Sequence, residues 1–137
     1  MNLNIGFEEA TTQYITKKIC QTSDDNSDYN YSVNLLEKMA DSMTKYGICN
    51  GESLITETYF GDDKQLLRKQ IDEILGNDAT IEDGGRSENI NYSYINNTMS
   101  DANNYDRRER SNSLEKLDKI AEEFDKKCAE YAEKNKK

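Results

Sequence analysis

The chain has 137 residues, a net charge of −9, and no histidine, tryptophan or proline. The lack of histidine removes the commonest general base and the commonest metal ligand, and no apolar run approaches the ~20 residues that a membrane span needs. Branched aliphatic and Phe residues are few for this charge, so one domain with a thin core is expected, with nine tyrosines supplying part of its apolar surface.

The start, MNLNIGFEEA, has no basic region leading into a long apolar one, so no signal peptide is read and a cytoplasmic location is expected. Residues 6–21 then read as a first helix. Phe7, Ala10, Tyr14, Ile15 and Ile19 make its apolar side, with Glu8 and Glu9 in the first turn and Lys17 and Lys18 near the last, as the helix dipole favours. Ser23 to Asp28 breaks it, because Asp, Asn and Ser side chains compete for backbone hydrogen bonds.

A second helix is predicted from about residue 31 to Tyr46 on the spacing of Leu36, Met39, Met43 and Tyr46, with Gly47 as its stop. Asn50-Gly51 marks a turn. Residues 52–60 suit helix or strand and are read as a short helix closed by Gly61. Asp62 followed by Gln65 looks like a capping box for a further helix through Leu66, Leu67, Ile71, Ile74 and Leu75, ended by Gly76.

Residues 77–111 hold only three branched aliphatic residues, Ile81, Ile90 and Ile95, around a turn at Asp83-Gly84-Gly85. Little there offsets ordering entropy, so a polar loop or mobile linker is expected, with room for a short strand or anchored patch at 89–95.

The clearest pattern is residues 112–134. Leu114, Leu117, Ala121, Phe124, Cys128 and Tyr131 fall on one seam of a helix, widened by Ile120, with Asn112 and Glu115 suited to its N-cap and N3 places. Glu115–Lys119, Glu122–Lys126, Glu123–Lys127 and Glu130–Lys134 are spaced for favourable pairs along it. At 1.5 Å per residue the helix is roughly 35 Å long, more than the shorter helices easily cover. A homodimer sharing this seam is therefore expected, with Phe124 near the contact. The whole is a mainly α fold in one domain, residues 1–137. It is a small bundle of four to five helices, made of a helical core at 6–76 and the long C-terminal amphipathic helix at 112–134, with a mobile polar stretch at 77–111 between them.

Chemistry is sparse. Asp24, Asn26 and Asp28 resemble the first three ligand positions of an EF-hand calcium loop, but Tyr29 and Leu35 stand where that loop needs Gly and Glu, so no metal is expected. Cys20, Cys49 and Cys128 are too scattered for a zinc site or a disulfide framework and read as reduced thiols. The segment Asp62 to Leu75 lacks the basic face of a DNA reader, so no direct nucleic-acid contact is expected. No nucleophile–base arrangement or phosphate cradle appears, and neither an enzyme nor a cofactor is expected.

The net negative charge lies wholly in residues 1–111, because acids and bases balance in residues 112–137. A field of that sign can occupy a basic groove as a nucleic-acid backbone does. The expectation is a non-enzymatic binding protein, an inhibitor or adaptor on a partner protein's basic, nucleic-acid-binding surface, with Asp62, Asp63, Asp72 and Glu73 as the binding face. Phage-encoded inhibitors of host defence nucleases share this small, acidic, histidine-poor profile. The alternative is a structural or assembly protein acting through helical self-association.

Overall fold

The computed structural model describes residues 5–20, 30–102 and 107–135. In chain order the elements are α1 (Ile5–Cys20), α2 (Asn30–Lys45), α3 (Gly51–Phe60), α4 (Leu66–Leu75), β1 (Thr80–Asp83), β2 (Arg86–Asn89), α5 (Tyr92–Ala102) and α6 (Arg107–Lys134). The protein is mainly helical, with a long C-terminal helix and one small two-stranded sheet. No helix among the described residues is long and apolar enough to cross a membrane. The calcium-like Asp24, Asn26 and Asp28 lie outside the described residues.

Local signals set several of the helix ends. Gly47 closes α2 at φ 74°, a left-handed conformation that glycine adopts without steric cost. Its N–H donates to Thr44 O and that of Ile48 to Met43 O, the paired bonds that satisfy the last carbonyls of a helix. Asn50 caps α3 by accepting the Ser53 N–H at 2.9 Å. Residues 52–60 are thus helical, as expected. The capping box expected at Asp62 does not form. α4 starts only at Leu66, and it is Asp63 that accepts a local N–H, from Gln65 at 2.9 Å. The Leu67 N–H is taken instead by Thr58 Oγ1 of α3.

Residues 77–111 differ from the expected loop. The described residues there hold a hairpin, α5 and the start of α6, which brings the helices among the described residues to six where four to five were expected. Thr80 pairs with Asn89 and Asp83 with Arg86 across a two-residue turn. Gly84 and Gly85 take φ 60° and 82° there, the positive pair that matches strand twist in tight hairpins. The hairpin is ordered less by its own apolar content than by α6. Glu123 accepts the Thr80 N–H, Lys119 donates to Glu82 O, and Lys116 pairs with Asp83 at 3.2 Å. α5 buries Tyr92, Ile95, Met99 and Ala102 on one stripe. Only Ile95 of these is a branched aliphatic, which is why a count of such residues misses the helix.

α6 is 28 residues long, about 42 Å, and starts before the expected cap. Asn112 is therefore an internal helical residue. Its seam is completed within the chain, mostly by α5 and α2, with α4 and β1 covering the rest. Leu117, Ile120, Phe124 and Cys128 are buried, and Leu114, Ala121 and Tyr131 pack against the same cluster from its edge. Phe124 is 0% exposed, so it offers no surface to a second copy. The long seam that suggested a homodimer is covered by short helices lying along it. The expected Glu-to-Lys ladder is also spent elsewhere. Lys127 pairs with Asp78 at 3.2 Å and Glu130 at 3.7 Å.

α1 is held by a residue far away in sequence. The Phe7 N–H, one of the donors that a helix start leaves unpaired, donates to buried Asn96 Oδ1 of α5 at 2.9 Å. Removing that acceptor strands a buried donor. Asn96→Ala should therefore lower stability by about 1–3 kcal/mol in urea denaturation, while Asn97→Ala, exposed on the same helix, should be near neutral. Equal effects would rule out the cap.

Candidate functional site

The four acids expected to form a binding face fall at the two ends of α4. Asp62 and Asp63 sit in the turn before α4, and Asp72 and Glu73 near its other end. Asp72 is engaged structurally. Its carboxylate accepts the Tyr92 N–H at 2.9 Å and lies 3.9 Å from Arg68 Nε, whose guanidinium is 5.5 Å from the centre of the Tyr92 ring. Glu73 faces α6, where burial and a hydrogen bond to Glu73 push the Tyr131 hydroxyl up. Asp63 holds the Gln65 N–H and pairs with Lys69 at 3.5 Å, which together keep its carboxyl below the usual range. Asp62, Asp63 and Glu73 are exposed, the first two together at one corner.

That corner carries something the acid pattern did not mark. Tyr59 and Phe60, the last residues of α3, are 37% and 61% exposed. Their rings meet edge to face with centroids 4.9 Å apart. α3 buries Gly51 and Ile55, and its C-terminal aromatics stand exposed beyond that buried stripe. Gly61 then ends the helix and Asp62 and Asp63 follow. A pair of exposed aromatics thus stands directly beside two exposed carboxylates, with exposed Glu57 one turn back.

A groove of about 560 Å³ opens next to the corner. Phe7, Glu8, Glu9 and Thr12 of α1 form one wall, Thr58, Tyr59, Lys64 and Gln65 the other, and Leu67 and Tyr92 also line it. Phe7 and Tyr92 stack at 4.1 Å with 9° between their planes. Lys64 donates to Tyr59 O across the α3–α4 turn.

A second polar cluster, around Asp125, is structural. Asp125 of α6 accepts from Ser42 Oγ at 2.7 Å and Tyr46 Oη at 3.1 Å, with Lys45 at 3.5 Å. These partners, Ser42 first, hold its carboxyl below the usual range, so it is a poor base and a good tie between α2 and α6. The thiols of Cys49 and Cys128 are free. Burial pushes Cys128 up to about 12, which keeps it protonated and unreactive.

Burial likewise pushes Tyr14, Tyr92 and Tyr94 up to about 12. Their folded values lie above the ordinary 10, so the stability they bring is complete below pH ~10 and lost as pH rises towards 12. In an alkaline titration followed at the phenolate band, these three should ionise only as the helical circular dichroism is lost. Full tyrosine ionisation with the helices intact would contradict their burial.

The exposed aromatics are what the acid pattern passed over in the sequence, since Tyr59-Phe60-Gly61-Asp62-Asp63 puts aromatic and acidic residues in five consecutive positions. Compared with protein-family models, curated proteins and solved structures, the chain matches none of them.

Proposed function

We propose that this is a non-enzymatic binding protein, an inhibitor or adaptor, that uses the α3–α4 corner to occupy a basic surface of a partner protein. The observation that carries the proposal is Phe60, exposed beside Tyr59 and followed at once by Asp62 and Asp63. Exposed aromatics anchor interfaces, and a charged rim steers the approach and excludes wrong partners. The net charge of −9 adds long-range attraction to a basic target and repels nucleic acid. Asp72 and Glu73 belong to the fold under this proposal, and the binding acids are Asp62 and Asp63. An inhibitor that a phage directs at a host defence nuclease is the kind of protein this describes.

Affinity capture tests it. The full chain, immobilised, should retain basic nucleic-acid-binding proteins from a bacterial lysate at low salt and release them at high salt or on addition of nucleic acid. Phe60→Ala combined with Asp62→Lys should retain far less while keeping its circular dichroism and melting temperature, because both side chains are exposed. Equal capture by the variant, or capture indifferent to salt, would remove the proposal.

A further inference from the structure

Resting on the corner's role above, we infer that the adjoining groove receives one extended cationic segment of the partner, with Lys or Arg stems on its apolar lining and their heads among its acids. The groove's volume of about 560 Å³ lies within the ~300–1,000 Å³ of clefts that enclose a small ligand. It therefore suits a short stretch of chain and excludes a folded domain. Its lining includes the Phe7–Tyr92 stack and Leu67.

Acids outnumber bases around that lining, where Arg68 lies over the Tyr92 ring and is paired with Asp72, and Lys69 is paired with Asp63. Glu8 and Glu9 stand on the α1 wall, and the opposite side runs on into exposed Glu57, Asp62 and Asp63. Among the described residues that line the groove, Lys64 is the one cation, and its ammonium already donates to Tyr59 O. Glu8 and Glu9 hold interactions within the chain, so they contribute through their field, which a cleft with low-dielectric walls concentrates. Glu57 and Asp62 can accept charge-assisted hydrogen bonds at the rim. Long cationic side chains meet both conditions at once, an apolar stem on apolar surface and a charged head at its edge. The exposed faces of Tyr59 and Phe60 add attraction for the same cations.

The test is fluorescence anisotropy of a labelled oligo-arginine peptide with the full chain, and of a labelled oligo-glutamate peptide as control. Thr12→Lys with Gln65→Lys places two cations on opposite walls at exposed positions. Asp101→Lys makes the same change in net charge at the far end of α5, away from the groove. Oligo-arginine should bind the wild type, more weakly as salt rises, and oligo-glutamate should not. The double variant should lose roughly tenfold or more in affinity, and Asp101→Lys should lose little. No binding by the wild type, or equal losses in the two variants, would overturn the groove. A double variant that binds as wild type, alongside a Phe60→Ala/Asp62→Lys variant that does not bind, would also overturn it, while leaving the corner's role standing.

Discussion

Phe124→Ala is expected to cost about 3–5 kcal/mol of folding stability, the usual range for emptying a fully buried Phe site. That is a large part of the ~5–15 kcal/mol that holds a domain of this size together. Phe124 sits at 0% exposure in the common core of the helices and the hairpin. Its environment comes from α6's packing on α5, α2, α4 and β1 of the same chain. The loss should therefore be the same at low and high protein concentration in urea denaturation. A loss that shrinks as concentration rises would mean that a second copy covers the residue. A loss below about 1 kcal/mol would mean that it is not in the core at all.

Gly51→Ala should be nearly as damaging, although it reverses what helix propensity favours. Ala beats Gly by ~1 kcal/mol in a helix interior, and Gly51 is the first residue of α3. A Cβ there would lie 2.3 Å from Ala40 O and 2.6 Å from Ala40 Cα. Both are backbone atoms, so no flexible side chain can give way and α3 must move off α2. The Gly51 N–H also donates to Thr44 Oγ1 at 2.9 Å, a bond such a shift would stretch. Overpacking costs about 1–3 kcal/mol, and the upper end is expected here. Thermal denaturation beside Gly47→Ala separates close approach from conformation. Nothing lies within 4 Å of a Cβ at Gly47, but its φ of 74° is strained for any side chain. A stabilised Gly51→Ala would show that α2 and α3 do not meet this closely.

These two residues mark what a sequence alone can carry. The α6 seam is legible because Leu117, Phe124 and Cys128 recur at helical spacing, and spacing is local information. The start of α6 is not. Its first residues, Arg107 to Ser111, offer no apolar residue to extend the pattern, and Asn112 imitates a cap. What covers the seam is also hidden, since much of it is α5, whose buried Tyr92, Met99 and Ala102 look in the sequence like parts of a polar stretch. Gly51 reads as a turn residue, and only the approach of Ala40 shows why a side chain is excluded.

The same split runs through the candidate site. That the chain is acidic, and that Asp62 and Asp63 are available, can be read from composition and from the turn around Gly61. That Asp72 is occupied cannot, because its partner Tyr92 lies 20 residues away and is brought there by α5. Tyr59 and Phe60 are ambiguous for a related reason. α3 has apolar residues on more than one side, and which side faces outward depends on α2 and α4.

Stability at the extremes of pH follows from the same contacts. Bonds from Lys127 hold Asp78 below the usual carboxylate range, bonds from Lys116 do the same for Asp83, and Ser42 leads for Asp125. Their contribution is present above the ordinary carboxyl value and fades as pH falls through the lowered ones. Burial pulls Lys127 down, but Asp78, Glu130 and Glu123 outweigh it and hold it above its ordinary value. Its contribution, like that of the buried tyrosines, is lost on the alkaline side.

The most direct test of the proposed binding face is amide-resolved NMR of the isotopically labelled chain, titrated with a partner recovered by affinity capture. The largest shift changes should fall on Tyr59, Phe60, Gly61, Asp62 and Asp63, spread to the α1 residues across the groove, and diminish as salt is added. Changes concentrated on the β1–β2 hairpin or on the C-terminal half of α6, with residues 57–65 undisturbed, would place the binding surface elsewhere and contradict the role assigned to the α3–α4 corner.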